Sequence, residues 1–85
     1  MALPSARIKL RNRSSVLNVI GPKVRQIRET QGLTQEALAA RCNVLNWTIS
    51  RGTLAKIEAQ VRRVTDEEVA HLARALKVDV GQLYS

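Results

Sequence analysis

The chain has 85 residues, 45% of them apolar, with Trp47 and Tyr84 as its only aromatics; this allows one small aliphatic core and excludes both a second domain and wholesale disorder. A net charge of +7 and a pI near 10.8 suit a polyanionic partner, either nucleic acid or an anionic membrane surface, and say nothing of fold. A single cysteine, Cys42, and a single histidine, His71, exclude an intramolecular disulfide and a Cys/His metal cluster, and the apolar runs are too short to span a membrane.

Residues 1–21 read as a basic arm, extended or partly ordered. "RIKLR" (7–11) alternates charged and apolar residues with strand periodicity, although it is short. No Asp or Glu occurs before Glu29. Organelle transit peptides share that composition with the basic arms of DNA-binding domains, and the lack of an apolar h-region excludes a secretory signal. The cysteine usage fits a reducing, cytoplasmic setting.

The bundle is expected to occupy 22–85. Pro22 suits the first position of a helix over 22–31, because its missing N–H costs nothing there; Gly32 ends it as a C′ residue. Thr34 N-caps a second helix over 35–42, with Glu36 in the first turn and Leu38, Ala39 and Cys42 on its inner face. Residues 43–49 form a connection. Ser50 is the next N-cap, opening a third helix to about 59 or 60, whose inner stripe is Leu54, Ile57 and Val61. Thr65 and Glu68 form a capping box that starts a fourth helix over 66–77, striped by Val69, Leu72, Ala73 and Leu76. Asp79 caps a last turn, "VGQLY". His71 lies off the stripe and is expected to be solvated. The residues thus describe an all-α chain of four helices, a terminal helical turn and a basic arm.

The third helix raises a question. Its first turn holds Arg51, which opposes the macrodipole by about 0.3–1 kcal/mol, and Gly52, which costs up to about 1 kcal/mol against alanine inside a helix and less in the first turn. On a wheel of 100° per residue, Arg51, Ala55, Ala59, Gly52 and Lys56 fall opposite Leu54, Ile57 and Val61. A strip of Gly and Ala lets a partner approach the backbone closely, and the two cations flanking it make that partner an anion. Arginine is the commonest reader of guanine in the major groove, and alanine can pack on a thymine methyl. The plainer reading is a surface helix with small residues and two solvated charges.

Three stretches, "LTQEALA", "TLAKIE" and "LARALKVDVGQL", together resemble the helix-turn-helix domain of the phage repressor and Cro family, also called XRE-type, over about 21–83. The resemblance implies a five-helix, lambda-repressor-like bundle whose third helix enters the major groove of double-stranded DNA. Carried over position by position, it implies base contacts from Arg51, Gly52 and Lys56. Ser50, Thr53, Gln35, Gln60, Arg62 and Arg63 fall at positions that meet the backbone. It also implies a structural ion pair, Arg28 with Glu58, between the first and third helices.

The turn departs from that pattern. Seven residues, 43–49, separate the second helix from Ser50, where 3–4 are usual, and they include Trp47. Trp47 either packs over the turn and closes the core or forms a dimer or effector contact. Arg7, Lys9, Arg11 and Arg13 can follow phosphates or the minor groove; the arm can also pair as a strand with a second chain, or remain a solvated tail. Cys42 reads as a small core residue.

No nucleophile–base pair, Gly-rich phosphate loop or carboxylate pair at helical spacing is present, so no enzyme and no cofactor or metal is expected. The reading is a sequence-specific, DNA-binding transcriptional regulator, prokaryotic or phage-encoded and nucleoid-associated, acting as a homodimer. A protein-interaction module such as an antitoxin or adaptor, meeting its partner through the Trp47 turn or the arm, is the alternative of another class. A nucleic-acid coat without sequence preference follows from charge alone.

Overall fold

In the computed structural model, which describes residues 16–85, four helix boundaries are made by local hydrogen bonds. Helix α1 spans Gly21–Thr30 with Pro22 in its first turn. It closes as a Schellman motif: Gly32, at φ 73°, donates to Glu29 O at 2.9 Å, and Leu33 donates to Arg28 O at 3.0 Å. Glycine suits that left-handed position because it has no Cβ to clash. Helix α2 spans Gln35–Val44, and the Thr34 hydroxyl accepts from Ala37 N–H at 3.0 Å. Helix α3 spans Arg51–Glu58 behind Ser50, whose Oγ accepts from Thr53 N–H at 3.1 Å. Helix α4 spans Asp66–Leu76 behind the reciprocal Thr65–Glu68 capping box. A 3₁₀ turn over Val80–Leu83 follows. Among the described residues there are thus four α-helices and no strand. The five-helix count implied by the resemblance is not reached among the described residues, where only the 3₁₀ turn follows α4.

Three expectations need correction. Helix α2 continues past Cys42 through Asn43 and Val44, so five residues, 45–49, precede Ser50. Asn43 makes the longer helix and its exit compatible. Its Nδ2 donates to Ala39 O at 2.9 Å, while its Oδ1 accepts from Ile49 N–H at 3.3 Å across the turn. Second, Val61 does not join Leu54 and Ile57 inside; it is 61% exposed. Helix α3 stops at Glu58, and Gln60 at φ 65° reverses the chain so that Val61 N–H reaches back to Lys56 O at 3.0 Å. That Schellman closure takes Val61 off the helical wheel.

The third correction is His71, which is not a solvated side chain. Its ring stacks on Trp47 with centroids 5.3 Å apart and planes 23° from parallel, and its Nδ1 is buried. The pair ties the enlarged turn to α4. Trp47 also donates its backbone N–H to Cys42 O at 2.9 Å and packs against the core, which is the closing role expected of a lone tryptophan over a turn.

The core is aliphatic. Ile20, Val24, Leu38, Cys42, Leu54, Ile57, Leu72, Leu76 and Leu83 are fully buried. Burial raises the Cys42 thiol to a pKa of about 11, because a thiolate would have to form without water. The arm positions Arg7, Lys9, Arg11 and Arg13 lie outside the described residues. The arm's last residues pack on the bundle: Ile20 is 1% exposed, and Leu17 N–H donates to Gln60 O at 3.1 Å.

Candidate nucleic-acid interface

Helix α3 divides sharply into two faces. Leu54, Ile57 and Glu58 are buried, while Arg51, Gly52, Lys56 and Ala59 are exposed and Thr53 and Ala55 are half-buried. The exposed face therefore carries small residues between cations. At Gly52 an added Cβ would meet nothing closer than the Ser50 Oγ, 3.9 Å away, so no packing within the chain requires glycine there.

The face is held from below by a polar cluster that joins three helices. Arg28 on α1 donates from Nε to Glu58 Oε2 at 2.7 Å and from Nη2 to Oε1 at 3.1 Å. Its Nη1 donates to Leu33 O at 2.7 Å. Both residues are buried, and the Glu58 hydrogen bond raises the Arg28 pKa against the opposing effect of desolvation. A fork-to-fork pair fixes orientation as well as distance, because both parallel bonds must be satisfied together. Gln35, in the first turn of α2, adds Nε2 to Glu58 Oε1 at 3.0 Å. Its amide is thus committed to positioning Glu58, while its carbonyl oxygen is unused by that bond. Arg28, Thr34, Gln35, Glu36 and Arg51 line one cleft of about 390 Å³, so the start of α2, with its carboxylate, and the leading edge of α3 face the same space.

The trailing end of α3 is held by Asn18, a residue to which the sequence reading assigns no role. Its Nδ2 donates to Ile57 O at 3.0 Å and to Arg62 O at 2.9 Å, and its Oδ1 accepts from Gly21 N–H at 2.7 Å. One side chain thereby satisfies the open C-terminus of α3 and the open N-terminus of α1. Only the bond to Gly21 N–H is local, and it is no capping signal, because the N-cap of α1 is Ile20, which makes no side-chain cap bond; the α3 partners of Asn18 lie 39 and 44 positions away. Gln60 completes the link by donating Nε2 to Asn18 O at 3.1 Å.

The two arginines after α3 differ. Arg62 grips Glu68 through Nη1 and Nη2, both at 3.1 Å. That hydrogen bond lowers the Glu68 pKa, against desolvation, with help from the Thr65 backbone, and it raises that of Arg62. The contribution to stability is complete above the ordinary glutamate range and disappears as the pH falls through the depressed value; with Arg62 a third exposed, solvent keeps it modest. Arg63 is exposed and has no carboxylate within ion-pair distance among the described residues. Its charge is the more available of the two.

A family profile described as "Helix-turn-helix" matches residues 24–83. Comparison with curated proteins gives no match. Among solved structures, the restriction-modification controller protein C.AhdI from Aeromonas hydrophila is similar at a TM-score of 0.67 and 28% sequence identity, over 75% of this chain and 86% of that one.

Proposed function

The chain belongs to the helix-turn-helix family of DNA-binding transcription regulators, and from that premise we propose that it is sequence-specific, reading duplex DNA by inserting α3 into the major groove. The observation that carries this is the exposed face of α3, where Gly52 and Ala59 lie between Arg51 and Lys56. Arg51, Gly52 and Lys56 are the base-reading positions. Ser50, Thr53 and Arg63 meet the phosphates on either side; Gln35 and Gln60 reach them only with the second amide hydrogen left over from their bonds to Glu58 and Asn18, and Arg62 adds to them from within its pair with Glu68. The arm residues Arg7, Lys9, Arg11 and Arg13 extend the phosphate contacts. Two copies on a two-fold site, with half-sites about 34–36 Å apart, extend the few base pairs that one module can cover.

Selection from a pool of random duplexes at moderate salt tests the reading. Enrichment of one two-fold sequence is expected, and recovery of no sequence above competitor would remove it. Arg51→Ala is expected to relax preference at one base pair per half-site by about 1–3 kcal/mol, whereas Arg63→Ala weakens all duplexes alike and lowers the salt slope by about 1. Equal losses on all sequences from both variants would make the protein a coat rather than a reader.

Gly52→Ala separates stability from binding. In the free chain the methyl group has room, so the melting temperature is expected to rise, by up to about 1 kcal/mol in unfolding free energy. The same methyl would stand between helix and base edges, and a roughly tenfold loss of duplex affinity, about 1.4 kcal/mol, is expected. Unchanged binding in a stabilised variant would show that α3 does not need its bare leading edge.

A further inference from the structure

We propose that the groove between the C-terminal ends of α2 and α4 docks an acidic, amphipathic segment of a partner protein. The groove has a volume of about 390 Å³ and is lined by Arg41, Val44 and Leu45 from the α2 side and by Arg74, Ala75 and Lys77 from the α4 side. Its floor is apolar and its rim cationic, and no Asp or Glu lines it. Val44, in the last turn of α2, is 80% exposed, the highest value among the exposed large hydrophobic residues. Arg41 bridges the two helices, donating Nη1 to Ala75 O at 3.2 Å. Arg74 and Lys77 are exposed and unpaired with any carboxylate among the described residues.

Charge selects the occupant. A second copy of this chain would bring the same three cations against their own kind around a two-fold axis, and like charges placed together are unfavourable. The residues before Val16 contain no Asp or Glu, so they are repelled in the same way. Nucleic acid is a poor match for the apolar floor, because its phosphates and sugars offer no apolar stripe to cover Val44, Leu45 and Ala75. A helix with a leucine-type stripe flanked by carboxylates satisfies both floor and rim, in the helix-in-groove mode. Gln35 and Val44 stand nine residues apart on α2, roughly 13 Å along its axis. The groove therefore lies at the far end of that helix from the DNA-facing cleft, and both can be filled at once.

The test uses the full chain and a fluorescein-labelled helical peptide of Leu and Glu, with a twin in which every Glu is Lys. Anisotropy should rise with the Glu peptide and not with the Lys twin, in the free chain and in the presence of a bound duplex. Val44→Asp and Arg74→Glu should each weaken the Glu peptide at least tenfold while leaving duplex affinity and the thermal melt as in wild type; Arg74→Ala gives a smaller loss and serves if either variant melts early. Equal binding of both peptides, no binding of the Glu peptide, or undiminished binding by the variants would overturn the proposal. So would displacement of the peptide by duplex, which would place it on α3 as a phosphate mimic, or conversion of a dimer to a monomer by Val44→Asp, which would make the groove a contact between copies. Because peptide binding is read in the free chain, its failure is distinct from failure of the duplex selection.

Discussion

Glu58→Ala is expected to lower the free energy of unfolding by about 3–5 kcal/mol, the cost of leaving one member of a buried ion pair alone. Arg28 would keep only the Leu33 carbonyl and a distant Glu29 carboxylate at 3.9 Å, with its side chain just 9% exposed. A small domain holds about 5–15 kcal/mol in total, so this loss is a large part of its stability. Urea denaturation of the single variant and of the apolar double variant Arg28→Met/Glu58→Leu gives the measurement. The double variant should be much less destabilised, because it buries no unpaired charge. Equal losses in both would mean that the site is governed by packing rather than by charge. The double variant also frees Gln35 from Glu58, so a weaker but still sequence-selective duplex interaction is expected of it.

Gly21→Ala is the second large effect, expected at about 3 kcal/mol. A Cβ there would lie inside the contact distance of the Ile57 carbonyl oxygen and 2.9 Å from that of Glu58. Both are backbone atoms at the end of α3, so neither can rotate away, and relief requires α1 to withdraw from α3. Overpacking of this kind costs about 1–3 kcal/mol and occasionally more. Withdrawal also stretches the 2.7 Å bond from Gly21 N–H to Asn18, which puts the loss at the upper end. Gly81→Ala is the control, since nothing lies within 4 Å of its added Cβ, and it should stay within about 0.5 kcal/mol of wild type. A similar small change at Gly21 would show that α1 and α3 can slide, and with them the orientation of Arg51. Gly52→Ala should move stability in the opposite direction, although it makes the same chemical change.

The contrast between these glycines shows where the sequence is legible. Gly32 can be assigned from its neighbours, because a residue ending a helix in the left-handed region is a local event. Gly52 can be suspected from its neighbours too, because a helix wheel needs only a dozen residues. Gly21 cannot, because what it avoids is a carbonyl 36 positions away. Asn18 is likewise hidden, because Ile20 and not Asn18 is the N-cap of α1, and its bonds to Ile57 and Arg62 depend on how the helices pack. Trp47 is expected to close the turn, but its stacking partner His71 lies on a face of α4 that periodicity alone leaves solvated. Val61 shows the reverse failure: the pattern extends a stripe that the Gln60 reversal cuts short.

By itself the sequence determines the all-helical class, the starts of α2, α3 and α4, the aliphatic core and the family resemblance carried by its three motifs. Each of these depends on residues within a turn or two of one another, where caps and periodicity act. Tertiary structure alone decides that Asn18 and Gly21 clamp the end of α3, that Gln35 turns its amide to Glu58, that Arg62 is engaged while Arg63 has no carboxylate partner among the described residues, and that a cation-rimmed apolar groove opens between α2 and α4. Those contacts join parts of the chain that only the packed core brings together, and their energies depend on burial and distance, which no local pattern encodes.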